Sequence, residues 1–457
     1  MSAGNGCGMN GSRSVKLDVL PIAGSANDPA KRLRSAVRRK RWLKLHLYLG
    51  LSVGAALVLI GLTGSLLVFQ LEIDEWLNPE LIRVVPKPGG ASAYRPVDEL
   101  VAAALHSMPQ GAHLVFGQYP RHDGIAFRWN VSVPSGPDAK SPMDFELHHV
   151  FVNPYSAEVI GSRLVRPAGL GGAVPRTFVG LVFALHYALL LPRFGDPPFG
   201  DTVVAIIGLV LMVSLFTGLY LWWPRNGRWR TALTIKRRAH VRRLHFDLHK
   251  ISGVYCSLIF LAIFVSGVFL NLRAPFHAVV RLFSPTVDRH DIQSKPAEGR
   301  GSVSLGQVMQ TVESQYPGGR PEWLSLPKKP TGTYTICRRD VPGLSLLLSR
   351  RCVVVDRYSG EIVHVQSPER GTAGDHFIQW QWPMHSGQIF GRTGRWIVFA
   401  SGLICPLLFG TGWYLWWRKG RGRRARQPMG PGVPVGDRQV GTRVDEVATA
   451  SVKGSRT

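Results

Sequence analysis

Leu43–Leu67, LKLHLYLGLSVGAALVLIGLTGSLL, and Phe246–Leu270, FDLHKISGVYCSLIFLAIFVSGVFL, are two copies of one pattern, and they decide the fold. In each, a histidine (His46, His249) stands just inside the start of a long apolar run. Glycine follows four residues on (Gly50, Gly253) and again eighteen residues on (Gly64, Gly267). A second duplicated pair lies downstream: LHYALLL…FTGLYLWWPR with His186, and MHSGQIF…FGTGWYLWWRK with His385. The chain therefore reads as a tandem repeat.

Four windows, roughly 45–70, 200–223, 250–271 and 394–417, are apolar over the ~20 residues that cross a ~30 Å hydrocarbon core. Each half contributes two of them, so both halves enter the membrane the same way up, as parallel repeats. The net charge of +26 sits almost wholly in residues 1–44, 224–250 and 418–457, which carry 29 Lys/Arg against 6 acids. All three lie on one side of the four spans, so the positive-inside rule places them, with both termini, in the cytoplasm. The charge is thus a topology signal that touches lipid, not a nucleic-acid footprint. A basic stretch followed by a long apolar run, with no A-x-A-like site, resembles a signal anchor.

The resulting expectation is an all-α four-helix membrane bundle of two parallel repeats, with two small α+β domains outside the cytoplasm. Its divisions are a basic disordered tail (1–40), a first span (41–71), a first outer domain (76–170) and a His-bearing outer-face helix (175–192). A second span (199–223), a basic loop (224–244), a third span (245–271) and a second outer domain (285–370) follow. A His-bearing outer-face segment (375–390), a fourth span (393–417) and a basic disordered tail (418–457) complete the chain. Each outer domain opens with a helical stretch, PVDELVAAALHSM or SLGQVMQTVESQY, the second with Ser304 and Gln307 placed as a capping box. Each closes with a hairpin, VFVNPYSAEVIG or VVVDRYSGEIVHV, in which Asn153 matches Asp356 and Tyr155 matches Tyr358. Cys337 and Cys352 end two strand-like runs, so a hairpin disulfide is possible there, outside the reducing cytoplasm.

The LH-x₃-G start, the LTG ending, the D-x-x-[ST]-G-type hairpin and the YLWWP end together resemble the PepSY-associated transmembrane family over roughly residues 40–420. That family includes iron-regulated inner-membrane proteins and ferric-siderophore reductases. The resemblance implies two PepSY-type domains in the periplasm and, for its reductase members, two b-type haems within the helices. It implies a ferric siderophore or other outer acceptor as substrate, with quinol or another donor supplying electrons.

Histidine inside a span is costly and marks function. His46 and His249 lie at the cytoplasmic end, His186 and His385 at the opposite end. An axis along the membrane normal puts each pair at one height, as bis-histidine ligation of one haem near each face requires. His46, Gly50 and Gly54 share a helix face, as do His249, Gly253 and Ser257. His245 lies one turn before His249 and competes with it as ligand; the repeat favours His249, because position 245 matches Trp42. Arg41, Lys44, Arg242, Arg243 and Lys250 stand near the cytoplasmic pair as candidate partners for haem propionates. Trp222–Trp223 and Trp416–Trp417 read as interfacial anchors, and Trp380–Pro383 as an anchor or, alternatively, as lining for a substrate surface on the outer face. His113, His122, His148 and His149 match no metal-ligand spacing.

No dinucleotide fingerprint, G-x-S-x-G, HExxH, CxxC or CxxCH is present, which leaves hydrolysis, nicotinamide chemistry and covalent haem attachment without machinery. The leading expectation is a di-haem membrane oxidoreductase reducing an outer ferric substrate. One alternative is a membrane-anchored PepSY module that binds or inhibits proteases or envelope partners; another is a haem subunit taking electrons from an external oxidase.

Overall fold

The computed structural model describes residues 29–424, apart from 140, 170–173, 193, 226, 296–298 and 345–348. The two expected tails thus lie largely outside the described residues. A long helix α1 (Pro29–Leu67) opens the chain, followed by α2 (Gln70–Leu77), the short turn α3 (Pro79–Ile82) and α4 (Val97–His106). Strands β1 (His113–Gln118), β2 (Phe127–Pro134), β3 (Phe145–Val152) and β4 (Val159–Arg166) come next. The chain returns through α5 (Phe178–Ala188) and α6 (Phe199–Trp222), then a one-turn α7 (Trp229–Ala232). The second half repeats this order with α8 (Val241–Tyr255), α9 (Ser257–Asn271), α10 (Arg273–Arg281) and α11 (Leu305–Gln315). Strands β5 (Arg320–Ser325), β6 (Tyr334–Arg339), β7 (Arg351–Val355) and β8 (Ile362–Gln366) lead to α12 (Ala373–His385) and α13 (Gly391–Arg424).

Two features correct the expected four-helix bundle with two separate small domains. First, among the described residues only three helices are long and apolar enough to cross a membrane, within Leu33–Leu67, Phe199–Trp222 and Gln388–Lys419. The expected third span is broken at Cys256 into α8 and α9, bent by 60°, and counts as a fourth only if the pair is one span. Cys256 is at once the C-cap of α8 and the residue before α9, and the Ser257 hydroxyl donates to the Val254 carbonyl at 2.7 Å across the bend. Second, the outer segments do not form two domains. They form one antiparallel sheet of eight strands, in the order β4-β3-β2-β1-β5-β6-β7-β8. Each half supplies four strands, and their bare edges β1 and β5 pair through Phe116–Ser325, Gly117–Leu324 and Gln118–Trp323. Pairing removes two edges that would otherwise be exposed.

One face of the sheet is covered by α4 and α11. Leu100, Ala104, Val308 and Val312 pack there on Phe127, Trp129, Val150, Leu324, Ile336 and Val353, all fully or nearly fully buried. The Ser304–Gln307 capping box forms at the start of α11, with bonds of 3.2 and 3.1 Å. The matched hairpins also agree: Asn153 and Asp356 each accept the backbone N–H two residues on, at 2.9 and 2.8 Å. Cys337 and Cys352 face each other across β6 and β7 and form a disulfide. The opposite face of the sheet looks onto the helices. Among these, α1 packs on α13, α6 and α5, while α9 packs on α6 and α12. The α1–α13 crossing is made of small residues: a Cβ on Gly402 would lie 2.3 Å from the Gly61 carbonyl oxygen.

Candidate functional site

The helices bring the four duplicated histidines together as two pairs. His46 on α1 faces His249 on α8, with ring centroids 6.1 Å apart and planes at 78°. His186 on α5 faces His385 on α12, at 6.0 Å and 61°. The second pair lines a cavity that reaches the sheet; the first sits at the far end of the helices.

Each imidazole is tied back in the same way by a neighbouring helix. His46 Nδ1 lies 3.0 Å from the Ser214 carbonyl and 3.1 Å from Thr217 Oγ1 on α6. His249 Nδ1 lies 3.0 Å from both the Leu408 carbonyl and Thr411 Oγ1 on α13. His186 Nδ1 meets the Ile60 carbonyl at 2.9 Å and Thr63 Oγ1 at 3.4 Å on α1. His385 Nδ1 meets Ser266 Oγ at 3.0 Å and the Ile263 carbonyl at 3.3 Å on α9. All four hydroxyls donate to their own helix, at 2.8 Å from Thr217 to Ser214, 2.6 Å from Thr411 to Leu407, 2.7 Å from Thr63 to Leu59 and 2.6 Å from Ser266 to Ala262. Both acceptors therefore require a proton on Nδ1, which leaves Nε2 as a lone pair. Among the described residues, no hydrogen bond is made by Nε2 of any of the four.

The residue after each hydroxyl is glycine: Gly64, Gly218, Gly267 and Gly412. A Cβ at these positions would lie 2.8, 3.1, 3.5 and 3.4 Å from the Cε1 of His186, His46, His385 and His249 respectively. Hydroxyl–glycine dipeptides thus form the back wall of every imidazole. Sequence reading noted LTG and the final glycines but missed this role. The signal was present, since Thr63-Gly64, Thr217-Gly218, Ser266-Gly267 and Thr411-Gly412 recur near the same helix ends as the repeat.

This arrangement fits the axial ligation of haem. Two imidazoles on one iron, with bonds of about 2 Å and ring centres about 1 Å beyond the nitrogens, stand about 6 Å centre to centre. A carbonyl bond that fixes tautomer and ring orientation is the usual support of a ligating histidine. Gly50, one turn from His46, faces open space, and Gly253 meets only Leu408 at 3.8 Å, so the space beside this pair admits a flat group. His46, His249, His186 and His385 would be the ligands. Among the described residues, no cluster of three or more His, Cys, Asp or Glu exists that could hold a bare metal ion.

The other candidates fall elsewhere. The His245 ring lies on Tyr414 at 4.2 Å, and it is His249 whose ring faces His46. Arg243 and Lys250 are both engaged by the buried Asp247 at 3.0 Å. Arg41, Lys44 and Arg242 are exposed. In the sheet, His148 bonds Glu146 at 2.8 Å, and His122 lies 3.5 Å from Glu75. Burial first, then the charges of Arg128 and Arg163, hold the pKa of His149 well below its usual value, so it is neutral. Trp382 and Pro383 line the cavity rather than serving only as an anchor.

That cavity has a volume of about 1200 Å³ and runs from His186, His385, Gly64 and Gly267 to the sheet. Among the described residues, seven arginines and four carboxylates line it. Burial, above all, pushes the guanidinium pKa of Arg128 and Arg289 down to about 10, so their charge is held in a poorly solvated wall.

No curated protein matches the chain. The family model for the PepSY-associated TM region matches residues 43–419, which takes in every helix and strand that builds the two pairs. The chain belongs to the PepSY-associated transmembrane family.

Proposed function

We propose that this membrane protein holds two b-type haems, one on each histidine pair, and passes electrons through its helices to a ferric substrate at the sheet face. The substrate class we assign is a ferric siderophore, as part of iron acquisition. One observation supports this above the others: two facing pairs, each near 6 Å, with all four Nδ1 atoms tied to carbonyl and hydroxyl oxygens.

Haem held there would supply one-electron transfer at iron. The chain's own residues orient and insulate. Thr217, Thr411, Thr63 and Ser266 hold the proton on each Nδ1 and fix the ring, while the apolar helices keep water away. On α1 the levels of His46 and Ile60 are 14 residues apart in sequence, about 21 Å of helix rise, so the pairs serve opposite halves of a bilayer. The basic segments lie at the helix ends away from the sheet: Arg39 donates to the Leu221 carbonyl at 2.5 Å and Arg225 to Ser35 at 2.6 Å. By the positive-inside rule, that end faces the cytoplasm and the sheet lies in the periplasm of a bacterial inner membrane. Quinol in the bilayer, near His46 and His249, is the donor we assign. Reduction to ferrous iron weakens binding to hard oxygen ligands and releases the metal from its chelate.

The test is spectral. Protein purified from haem-supplied cells is expected to show reduced b-type bands at two haems per chain. His46→Ala is expected to remove one and His385→Ala the other. Protein without such bands would sink the reading, and loss of the same haem from both variants would overturn the pairing.

A further inference from the structure

We infer that the sheet wall of the cavity is a carboxylate-binding surface, with Arg128, Arg289 and Arg339 as its contacts and a hydroxycarboxylate chelate of ferric iron as its ligand class. The identity of the metal rests on the function proposed above; the recognition of carboxylates rests on the wall itself.

A row of residues crosses the sheet in register and faces the helices: Arg128, Gln118, Trp323, Cys337, Cys352 and Gln366. Arg289 reaches this row from outside the sheet. Its guanidinium lies 5.1 Å over the Trp323 ring and donates to Gln366 Oε1 at 2.7 Å. Arg128 donates to Gln118 Oε1. Its nearest carboxylate, Asp74 at 3.9 Å, is already held by two bonds from Arg163 at 2.9 and 2.5 Å. Arg339 donates to the Arg121 carbonyl at 2.9 Å. Among the described residues, neither Arg289 nor Arg339 has a carboxylate within ion-pair distance; Asp288, the acid nearest in effect to Arg289, is held by Arg273 at 2.9 Å. The Nε–H groups of all three arginines are buried without an acceptor.

The wall's carboxylates do not answer these charges. Glu72 is shared by Arg121 at 3.2 Å and Arg395 at 2.8 Å, and Glu322 is held by Arg350 at 2.6 Å through both oxygens. Asp340 is exposed and pairs with none of the three among the described residues. A poorly solvated guanidinium with unspent N–H groups is costly unless an anion arrives, and its planar fork matches a carboxylate with two parallel bonds. There is room for that anion. The cavity exceeds the roughly 300–1,000 Å³ of an ordinary ligand pocket, so a group between His186 and His385 leaves space beneath the sheet.

Carboxylates could come from a separate chelate or from the propionates of a haem on the nearby pair, and one experiment separates them. Full-length protein in detergent is titrated with gallium citrate, a redox-inert stand-in for the ferric chelate, and its haem absorbance is recorded in the same samples. Arg289→Gln and Arg339→Gln are compared with Arg320→Gln, which changes an exposed arginine at the start of β5. A loss of gallium citrate affinity of about tenfold or more in the first two, with Arg320→Gln unchanged, supports a separate chelate. A shifted or lost haem band with unchanged gallium citrate affinity supports propionates as the source. If neither readout moves in Arg289→Gln or Arg339→Gln, the inference is overturned. Arginine-dependent citrate binding by a chain without haem would keep this inference and overturn the electron-transfer reading.

Discussion

Gly64→Ala and Gly267→Ala are the same change at equivalent places in the two halves, yet the structure separates them. A Cβ on Gly64 would lie 2.8 Å from Cε1 of His186, whereas on Gly267 it would lie 3.5 Å from Cε1 of His385. Carbon atoms sit comfortably at about 3.5–4.0 Å, so His186 must retreat by about 0.7 Å and His385 not at all. His186 cannot retreat freely, because its Nδ1 is anchored at 2.9 Å to the Ile60 carbonyl, one turn before Gly64 on α1. A shift above about 0.5 Å exceeds what a preorganised site tolerates, and overpacking of this kind costs about 1–3 kcal/mol. On the di-haem function proposed above, that corresponds to roughly 5- to 150-fold weaker haem retention at the pair nearer the sheet. Replacing glycine inside a helix otherwise favours the helix by about 0.5–1 kcal/mol, so a weakened fold is not the expected route to loss. The assay is haem per chain, from the absorbance of reduced purified protein through serial dilution. Gly64→Ala should fall from two toward one while Gly267→Ala stays at two. Equal retention in the two variants would refute the claim that this glycine sets the imidazole's position.

Three further outcomes are expected. Thr217→Val removes one of two acceptors from His46 Nδ1 and should weaken haem binding at the pair away from the sheet by about tenfold, with the Ser214 carbonyl holding the rest; unchanged retention would show that the hydroxyl is idle. Gly117→Ala places a Cβ 2.6 Å from the Trp129 ring and 3.1 Å from Leu324, beside the β1–β5 junction, and should cost about 1–3 kcal/mol, read as a lower thermal midpoint by tryptophan fluorescence. Burial opposes ionisation of Asp356, but bonds from the N–H groups of Ser359, Tyr358 and Lys295, at 2.9, 2.8 and 3.0 Å, outweigh it and hold its pKa below the usual range. Its stabilisation is present above the ordinary carboxylate pKa of about 3.9 and is lost as pH falls through the depressed value. Asp356→Asn should therefore lower stability near pH 7 and flatten the acid limb of a thermal-midpoint–pH profile, the two proteins converging below the depressed pKa; an unchanged midpoint at pH 7 would refute it.

The histidines were legible because a repeat marks equivalent positions whatever the fold, and membrane histidine is rare enough for two copies to count. The outer hairpins and the capping box were legible because their partners are two or three residues apart. The edge pairing of β1 with β5 was not, because strand alternation tells which face is buried but not which strand lies alongside. Phe116 and Ser325 meet across more than two hundred residues with no sequence token for it. The break at Cys256 was hidden for a different reason: Val254 and Leu258 are as apolar as any span, and hydropathy does not register a change in helix direction. The hydroxyl–glycine dipeptides lay in plain view, but each serves a histidine on another helix. Helical periodicity gives faces, not neighbours.

The origin of each contact explains why the chain is duplicated. His46 and its acceptors on α6 belong to the first half, as do His186 and its acceptors on α1. His249 with α13, and His385 with α9, belong to the second. Each half is thus complete as a holder of imidazoles and incomplete as a site, since the ring opposite always comes from the other half. A two-fold interface places the same surface on both partners, which brings equivalent residues face to face. The sheet obeys the same rule, with one β edge from each half meeting at the centre. The bend in α8–α9 breaks the symmetry of the helix path, yet His249 and Ile263 stand as far apart in sequence as His46 and Ile60. What the two halves share is therefore the placement of each ring and its acceptor, and the helix between them is free to differ.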